Sequence, residues 1–463
     1  MDYERFLSQL DQRGVRFAVL HGWKSLSQER SSDLDLVVDS KSFPLLEEFL
    51  RESYSVVQVL HYEATSFAFV LRDDKGSGGR CPIIDVTTDY RCRGRIFLTE
   101  EELFHERRRW GGYWVVAPEQ EFPYLLLKKI YEKGALPEGQ RADVRRLVTG
   151  LGPKANPVAA ALFGQALAGQ VIDWISAENW SEFDSHMAQM RRAIKRQSLR
   201  RHLLNPLCYW GREIARLWQR WRFPTGLFVV VLGSDGSGKS TLIQHLERGF
   251  SGAFRRTKSF HFRPRLFKGH PSTTIAEPHA KSPYNGLVSA FKLFYYLLDY
   301  IVGYWLQVRP ALARSTLVIF DRYYDDILVD SHRYRYGGPA WLLRFGRRLV
   351  PRPYVFLVLD APETYLIQRK TELPLEELKR QRARFRELAG ESDRFIFLDG
   401  TASIEEVTRE GTESIFTVLQ RRCLQRRRLW FEDMDGKEKA MIQREDISKD
   451  YENINQTSAN STL

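Results

Sequence analysis

The sequence predicts an α/β protein built from two sheet-bearing units, with a parallel sheet in the C-terminal half, a mixed α/β arrangement at the N-terminus and a helical region between them. Three observations carry this. Phe228 to Leu232 is an unbroken apolar, β-branched run, the composition of a strand buried on both faces, and it breaks directly into the glycine-rich stretch Gly233-Ser-Asp-Gly-Ser-Gly-Lys-Ser-Thr241. Further apolar runs, each ending in an acid, lie at Ser315 to Asp321, Tyr354 to Asp360 and Phe395 to Asp399, with helical periodicity between them. Residues 1 to 118 alternate short helix-period and strand-period segments.

Taken in order, the N-terminal unit predicts a helix from Tyr3 to Arg13, strands at Val15 to Leu20 and Leu34 to Val38, and a helix from Phe43 to Ser53. Strands then follow around Val56 to Tyr62, Ser66 to Leu71 and Pro82 to Thr88. From 119 to 225 the pattern is helical, with candidates at Phe122 to Tyr131, Arg141 to Thr149 and Ala155 to Leu167. Phe223-Pro224-Thr225-Gly226 marks a boundary, 226–430 forms the second α/β unit, and 431–463, polar and without periodicity, predicts a disordered tail. Leu287 to Val308 approaches membrane-span length but contains Lys292, Asp299 and Gln307, so it predicts a buried helix and no integral membrane segment.

A chain of 463 residues suggests about three structural units, and its 43% hydrophobic and 28% charged residues are a globular balance. The net charge of +12 favours polyanionic partners: nucleotides, nucleic acid or an anionic membrane surface. Cys81, Cys92, Cys208 and Cys423 are scattered without metal-ligand spacing, which predicts reduced thiols in a cytoplasmic protein. Pro206 to Arg222 interleaves Trp210, Trp218 and Trp221 with arginines; packing between domains and contact with an anionic membrane surface are the two readings of it. His61, His105 and His202 have no obvious partners and read as ordinary histidines.

The glycine-rich stretch predicts a phosphate-binding loop between strand and helix. Gly233, Gly236 and Gly238 let the backbone curl so that N–H groups point at one anion, and the following helix adds its positive end. Lys239 reaches the β- and γ-phosphates of ATP, and Ser240 offers a hydroxyl to Mg²⁺; Ser234, Asp235, Ser237 and Thr241 complete the loop. Asp321, at a strand's C-terminal end, is placed to hold the magnesium side of the site, and Arg322 beside it supplies a planar fork for phosphate. Arg369 and Lys370 are placed like a lid that brings cations over the transferring phosphates. Lys379, Arg380, Arg382, Arg384 and Arg386 behind them also fit a solvated helix face.

These motifs, in this order over about 200 residues, resemble thymidylate kinase in the P-loop nucleoside-monophosphate kinase superfamily. The resemblance implies that Asp235 faces the acceptor nucleotide and that Asp321, Arg322 and Tyr323 line the acceptor site. Because position 236 is glycine, it also implies a catalytic arginine from the lid, Arg369. Where the family carries an arginine-glutamate-proline-glycine run, this chain has Ser259-Phe-His-Phe-Arg-Pro-Arg265, leaving Arg263 and Arg265 as anion-binding candidates. Arg333 and Arg335, interleaved with Tyr334 and Tyr336, suit an anionic acceptor with an aromatic or sugar face; a surface turn closed by Gly-Gly-Pro is the alternative.

In the N-terminal unit, Val19-Leu-His-Gly22-Trp23 is followed by Asp33-Leu-Asp35. Two aspartates at i and i+2 on a strand share one side, where they suit divalent metals that bridge a nucleotide's phosphates, and Asp85 is the candidate third ligand. The arrangement resembles the nucleotidyltransferase superfamily over about 100 residues, with Trp23 standing where that superfamily carries a small phosphate-contacting residue.

The expected function is therefore ATP-dependent transfer of the γ-phosphoryl group to a nucleoside monophosphate, dTMP or a related acceptor, by a cytoplasmic two-domain enzyme using Mg²⁺. A kinase of a sugar or polysaccharide precursor and a non-catalytic ATP-binding regulator that engages nucleic acid or membrane are the alternatives.

Overall fold

The computed structural model describes residues 1–26, 33–63, 65–72, 81–92, 95–201, 205–250, 252–266, 282–369 and 374–425; the predicted tail, Lys370 and His202 lie outside them. The N-terminal unit opens with a helix, Tyr3–Gln12, capped by the Asp2 carboxylate. Its strands are β1 (Phe17–Val19), β2 (Asp33–Val38), β3 (Val56–Glu63), β4 (Ser66–Leu71), β5 (Ile83–Thr87), β6 (Tyr90–Cys92), β7 (Arg95–Leu98), β8 (Arg108–Trp110) and β9 (Tyr113–Val115). Seven of them form a mixed sheet in the order β3-β4-β5-β2-β1-β9-β8, and β6 and β7 pair separately. β2 runs parallel to β5 and antiparallel to β1, so Asp35 lies in register with Asp85. Strands β6 to β9 were not among the predicted elements. They are three or four residues long, and β8 is exposed throughout, so they carry no burial period to read.

The helical region begins with Pro118–Leu126, which passes into a π-helical turn, Leu127–Lys133. Glu138–Leu151 follows. The helix predicted from Ala155 to Leu167 is in fact two, Ala155–Phe163 and Gln165–Ser176, because Gly164 at φ 82° ends the first and turns the chain. Phe122, Leu125, Leu126 and Ile130 are fully buried in the core these helices share with the back of the sheet.

In the C-terminal half, β10 (Leu227–Gly233), β11 (Arg256–His261), β12 (Thr316–Asp321), β13 (Val355–Asp360) and β14 (Phe395–Asp399) form a parallel sheet in the order β11-β12-β10-β13-β14. β10 is central and buried along its whole length, which is why its sequence shows no polar alternation. All five strands end at one edge, bringing Gly233, His261, Asp321, Asp360 and Asp399 to the rim where ligands bind in such sheets.

Helix Gly286–Gly303, its π turn Tyr304–Val308 and the continuation Arg309–Ala313 correct the expectation of a buried helix. Leu293, Asp299, Tyr300 and Gly303 face the core, but Leu287, Phe291, Phe294, Trp305 and Leu306 are exposed. Among the described residues this is the one helix long and apolar enough to cross a membrane, by length and composition alone.

The two halves share a core. Val57, Leu60 and Ala68 of β3 and β4 belong to the same apolar cluster as Leu227, Phe250 and Leu419, and Arg72 pairs with Glu413 at 2.7 Å. Helix Asn205–Arg222 lies along this junction: Arg216 donates to the His61 carbonyl (3.0 Å) and Arg220 to that of Ala313 (2.9 Å). Packing between domains thus accounts for one face of the tryptophan- and arginine-bearing segment.

Candidate phosphoryl-transfer site

The loop after β10 folds as its glycines require. Gly233 sits at φ 142°, where a Cβ would lie 2.8 Å from Ser237 Oγ and 2.9 Å from the Leu359 carbonyl of β13. Gly238 at φ 95° turns the chain into helix Lys239–Gly249, whose first turn carries Ser240 and Thr241. The first N–H groups of a helix have no partner within it, and at the end of a glycine-rich loop that is the arrangement an anion satisfies. Gly236, also at positive φ, completes the curl.

Lys239 is buried and folded back over its own loop, donating to the carbonyls of Gly233 (2.9 Å) and Ser234 (2.8 Å), with Asp235 3.8 Å away. Burial and the Arg322 charge lower its pKa to about 8 against the opposing pull of Asp235, Asp321 and Asp326. The ammonium is satisfied by carbonyls that a polyphosphate would replace.

Asp321 ends β12 beside the loop. Burial pushes its carboxyl up, but the hydrogen bond from His261 Nδ1 (3.0 Å) and the charges of Lys239 and Arg322 leave it below the usual carboxylate range. Its Oδ1 is buried with no hydrogen-bond partner, and so is Ser237 Oγ. A buried carboxylate oxygen left without a donor fits a hard cation, and Mg²⁺ characteristically takes one or two protein oxygens and fills its shell with water and phosphate.

Arg322 is the centre of an ion-pair network. It adopts φ 68°, a left-handed conformation costly for a residue with a Cβ, and its backbone N–H donates to the Val231 carbonyl. Its guanidinium pairs with Asp235 and, at 2.7 Å, with buried Asp326, which also accepts from Tyr334 at 2.7 Å. Arg333 pairs with the second oxygen of Asp235. Burial raises the Asp235 pKa, yet Arg322, Lys239 and Arg333 together drive it far below the ordinary range. Gln381, from helix Leu375–Gly390, accepts from Ser234 (3.2 Å) and donates to Asp330 (3.0 Å), which caps the Arg333 turn.

Sequence reasoning therefore located Asp235, Arg322 and Arg333, which the fold brings together. It missed His261, Asp326, Asp330 and Gln381, whose only signal was a polar side chain within an otherwise apolar or basic run. Two expectations, for Tyr323 and Arg335, are corrected. Tyr323 does not line the site: its ring packs edge-on against Phe228, Phe320 and Tyr300, and its hydroxyl donates to the Pro351 carbonyl at 2.7 Å. Arg335 is held away on Tyr284, 3.9 Å from the ring centroid and 2.8 Å from its hydroxyl. Arg369 lies exposed over the Tyr365 ring (4.7 Å), with no hydrogen bond or ion pair to the loop. Arg263 pairs with buried Asp299 (2.9 Å), and Arg265 contributes its backbone N–H to the same carboxylate (3.2 Å). Next to them Phe262 stacks on Tyr334, centroids 4.5 Å apart. Of the basic run on Leu375–Gly390, Arg382 and Arg386 bind Asp360, while Lys379 and Arg380 pair along the helix surface.

In the N-terminal unit, Asp33, Asp35, Asp85, Tyr62, Lys128 and Arg255 line a cavity of about 650 Å³. Lys128, on the π turn, places its ammonium 2.7 Å from both oxygens of Asp35. Burial and the Asp35 charge raise Asp85 to about 7 against the pull of Lys128. The three-carboxylate metal cage predicted from Asp33, Asp35 and Asp85 is not formed: among the described residues no three His, Cys, Asp or Glu side chains make a group that could hold a metal ion, and Asp35 pairs with Lys128. Trp23 is buried, its indole N–H on Glu121 (3.2 Å) and its ring against Trp110 (4.4 Å). His61 stacks on Phe67.

Comparison with known proteins bears on the C-terminal half. A solved thymidylate kinase from Ehrlichia chaffeensis aligns at 18% identity over 41% of this chain and 98% of its own, with a TM-score of 0.30. No curated protein matches the chain. Residues 231–410 match the family model for thymidylate kinase, so the protein carries a thymidylate kinase family domain across the loop, the ion-pair network and β11 to β14, a domain of the nucleotide-binding phosphotransferase class.

Proposed function

We propose that the C-terminal half transfers the γ-phosphoryl group of ATP to a nucleoside monophosphate, dTMP or a close relative, in the cytoplasm. The observation that carries the reading is the unpartnered, buried oxygen of Asp321 beside a loop whose lysine is folded back onto the loop's own carbonyls. Ser240 and Asp321 would hold Mg²⁺, which when bound neutralises charge on the β- and γ-phosphates. Lys239 and the loop amides stabilise the moving phosphoryl group. Arg322 and Arg333, positioned by Asp235 and Asp326, are the cations nearest the acceptor side, with Arg263 and the Phe262–Tyr334 stack beside them for a planar base. Arg369 reaches the transferring phosphate only if its helix end moves inward.

For the N-terminal unit we propose nucleotide binding without a metal cage, supported by Lys128 and Arg255 lining the same cavity as Asp33 and Asp35.

Purified protein with ATP and Mg²⁺, given a panel of nucleoside monophosphates and sugar derivatives, is expected to release ADP only with a nucleoside monophosphate, and Lys239→Ala is expected to abolish it. Turnover restricted to a sugar derivative, or ATP binding with no turnover on any acceptor, overturns the proposal.

A further inference from the structure

Three helices of the protein turn an apolar stripe toward solvent. On Asn205–Arg222 it runs through Trp210, Ile214 and Trp218; on Gly286–Gly303 through Leu287, Phe291 and Phe294. On Ala340–Leu349 it runs through Trp341 and Phe345. Spacings of three, four, seven and eight residues put each set on one helix face. The exposure is large: 66% for Trp218 and Trp341, 76% for Phe291. The helices are joined. Trp221 stacks on Trp305 with centroids 6.3 Å apart under the Arg309 guanidinium, and Gly346 lets Ala340–Leu349 pack on Leu297 of the central helix.

The charge on these helices has one sign at the surface. Their only acids are Glu213 and Asp299, both buried, one paired with Arg216 and the other with Arg263. Arg222, Arg344 and Arg348 are exposed beside the stripes, and Arg314 ends the central helix. Arg344 reaches the exposed Glu387 at 3.7 Å, but the rim keeps a net positive charge, and a contact between two copies would set it against itself, which like-charge repulsion opposes. A bilayer with anionic headgroups satisfies both features. Aliphatic side chains enter the acyl boundary, indoles lie at headgroup depth, and arginines meet lipid phosphates.

We propose that this three-helix face seats the protein on an anionic lipid bilayer, lying in the interface and not crossing it. The central helix cannot cross without withdrawing Leu293, Tyr300 and the Asp299–Arg263 pair from the kinase core.

The test is flotation of the full chain with vesicles of phosphatidylcholine alone and of phosphatidylcholine mixed with phosphatidylglycerol. Partition onto the mixed vesicles is expected to exceed that onto the neutral ones at least ~tenfold at low salt, to fall as salt rises, and to shift tryptophan emission to the blue. The pair Trp218→Ser with Trp341→Ser and, separately, Arg344→Glu with Arg348→Glu should each lower it about tenfold with the circular dichroism and ATP affinity unchanged. No preference for anionic vesicles, or a dimer in sedimentation that the tryptophan pair dissociates, overturns the proposal; the second result makes the face a contact between copies.

Discussion

Lys239 shows how one side chain is set by its surroundings before any ligand arrives. With its pKa at about 8, the ammonium loses its proton as pH rises through that value, and a bound triphosphate raises the pKa again. Two outcomes are expected: ATP affinity weakens above about pH 8, approaching tenfold per pH unit if only the charged form binds, and binding near pH 8 takes up a proton. Calorimetry in buffers of different ionisation enthalpy reads both. Asp85 behaves in the opposite sense. Its carboxyl is raised from 3.8 to about 7, so ionising it costs stability that is absent below the unfolded pKa and fully felt above the folded one. Asp85→Asn should therefore stabilise the protein at pH 8 by up to about 4 kcal/mol relative to wild type and leave stability at pH 4 nearly unchanged, measured by urea unfolding.

At the scale of elements, the loop between β10 and Lys239–Gly249 depends on close approach as much as on curvature. Gly233→Ala adds a methyl against Ser237 and the Leu359 backbone at a φ that L residues avoid; it should cost about 1–3 kcal/mol and abolish ATP binding, read by thermal unfolding and titration. Gln381 couples helix Leu375–Gly390 to the loop through Ser234 and to Asp330 behind Arg333. Gln381→Ala removes the hydrogen bonds to Ser234 and Asp330, so a loss of about 1–3 kcal/mol is expected along with weakened acceptor binding, a change in KM that spares ATP affinity. The loop was legible in the sequence because its chemistry is local: glycine, lysine and hydroxyl at fixed spacing between a strand and a helix. The arginines were legible only as candidates. Arg322, Arg333, Arg335 and Arg369 share a chemistry, and what separates them is distance in space: the first two converge on Asp235, and the others are held on Tyr284 and Tyr365.

For the whole molecule, the shared cluster of Val57 and Leu60 with Leu227 and Phe250 makes the halves one folding unit, and a single cooperative transition is expected in calorimetry. Leu60→Ala, far from the phosphate loop in sequence, should cost about 2–4 kcal/mol and lower that one transition, whereas two separated transitions would show the halves to be independent. The sequence by itself determined the α/β class, the parallel sheet of the C-terminal half and the phosphate loop, because burial period and glycine spacing are written along the chain. Only the tertiary structure decided that Lys128 pairs with Asp35, that Tyr323 belongs to the core, that Gln381 reaches the loop and that the helix from Gly286 shows its apolar face to solvent. Each depends on which side of an element meets its neighbour. A linear pattern gives the width of an apolar stripe, and the partner that covers it is fixed only when the chain has folded.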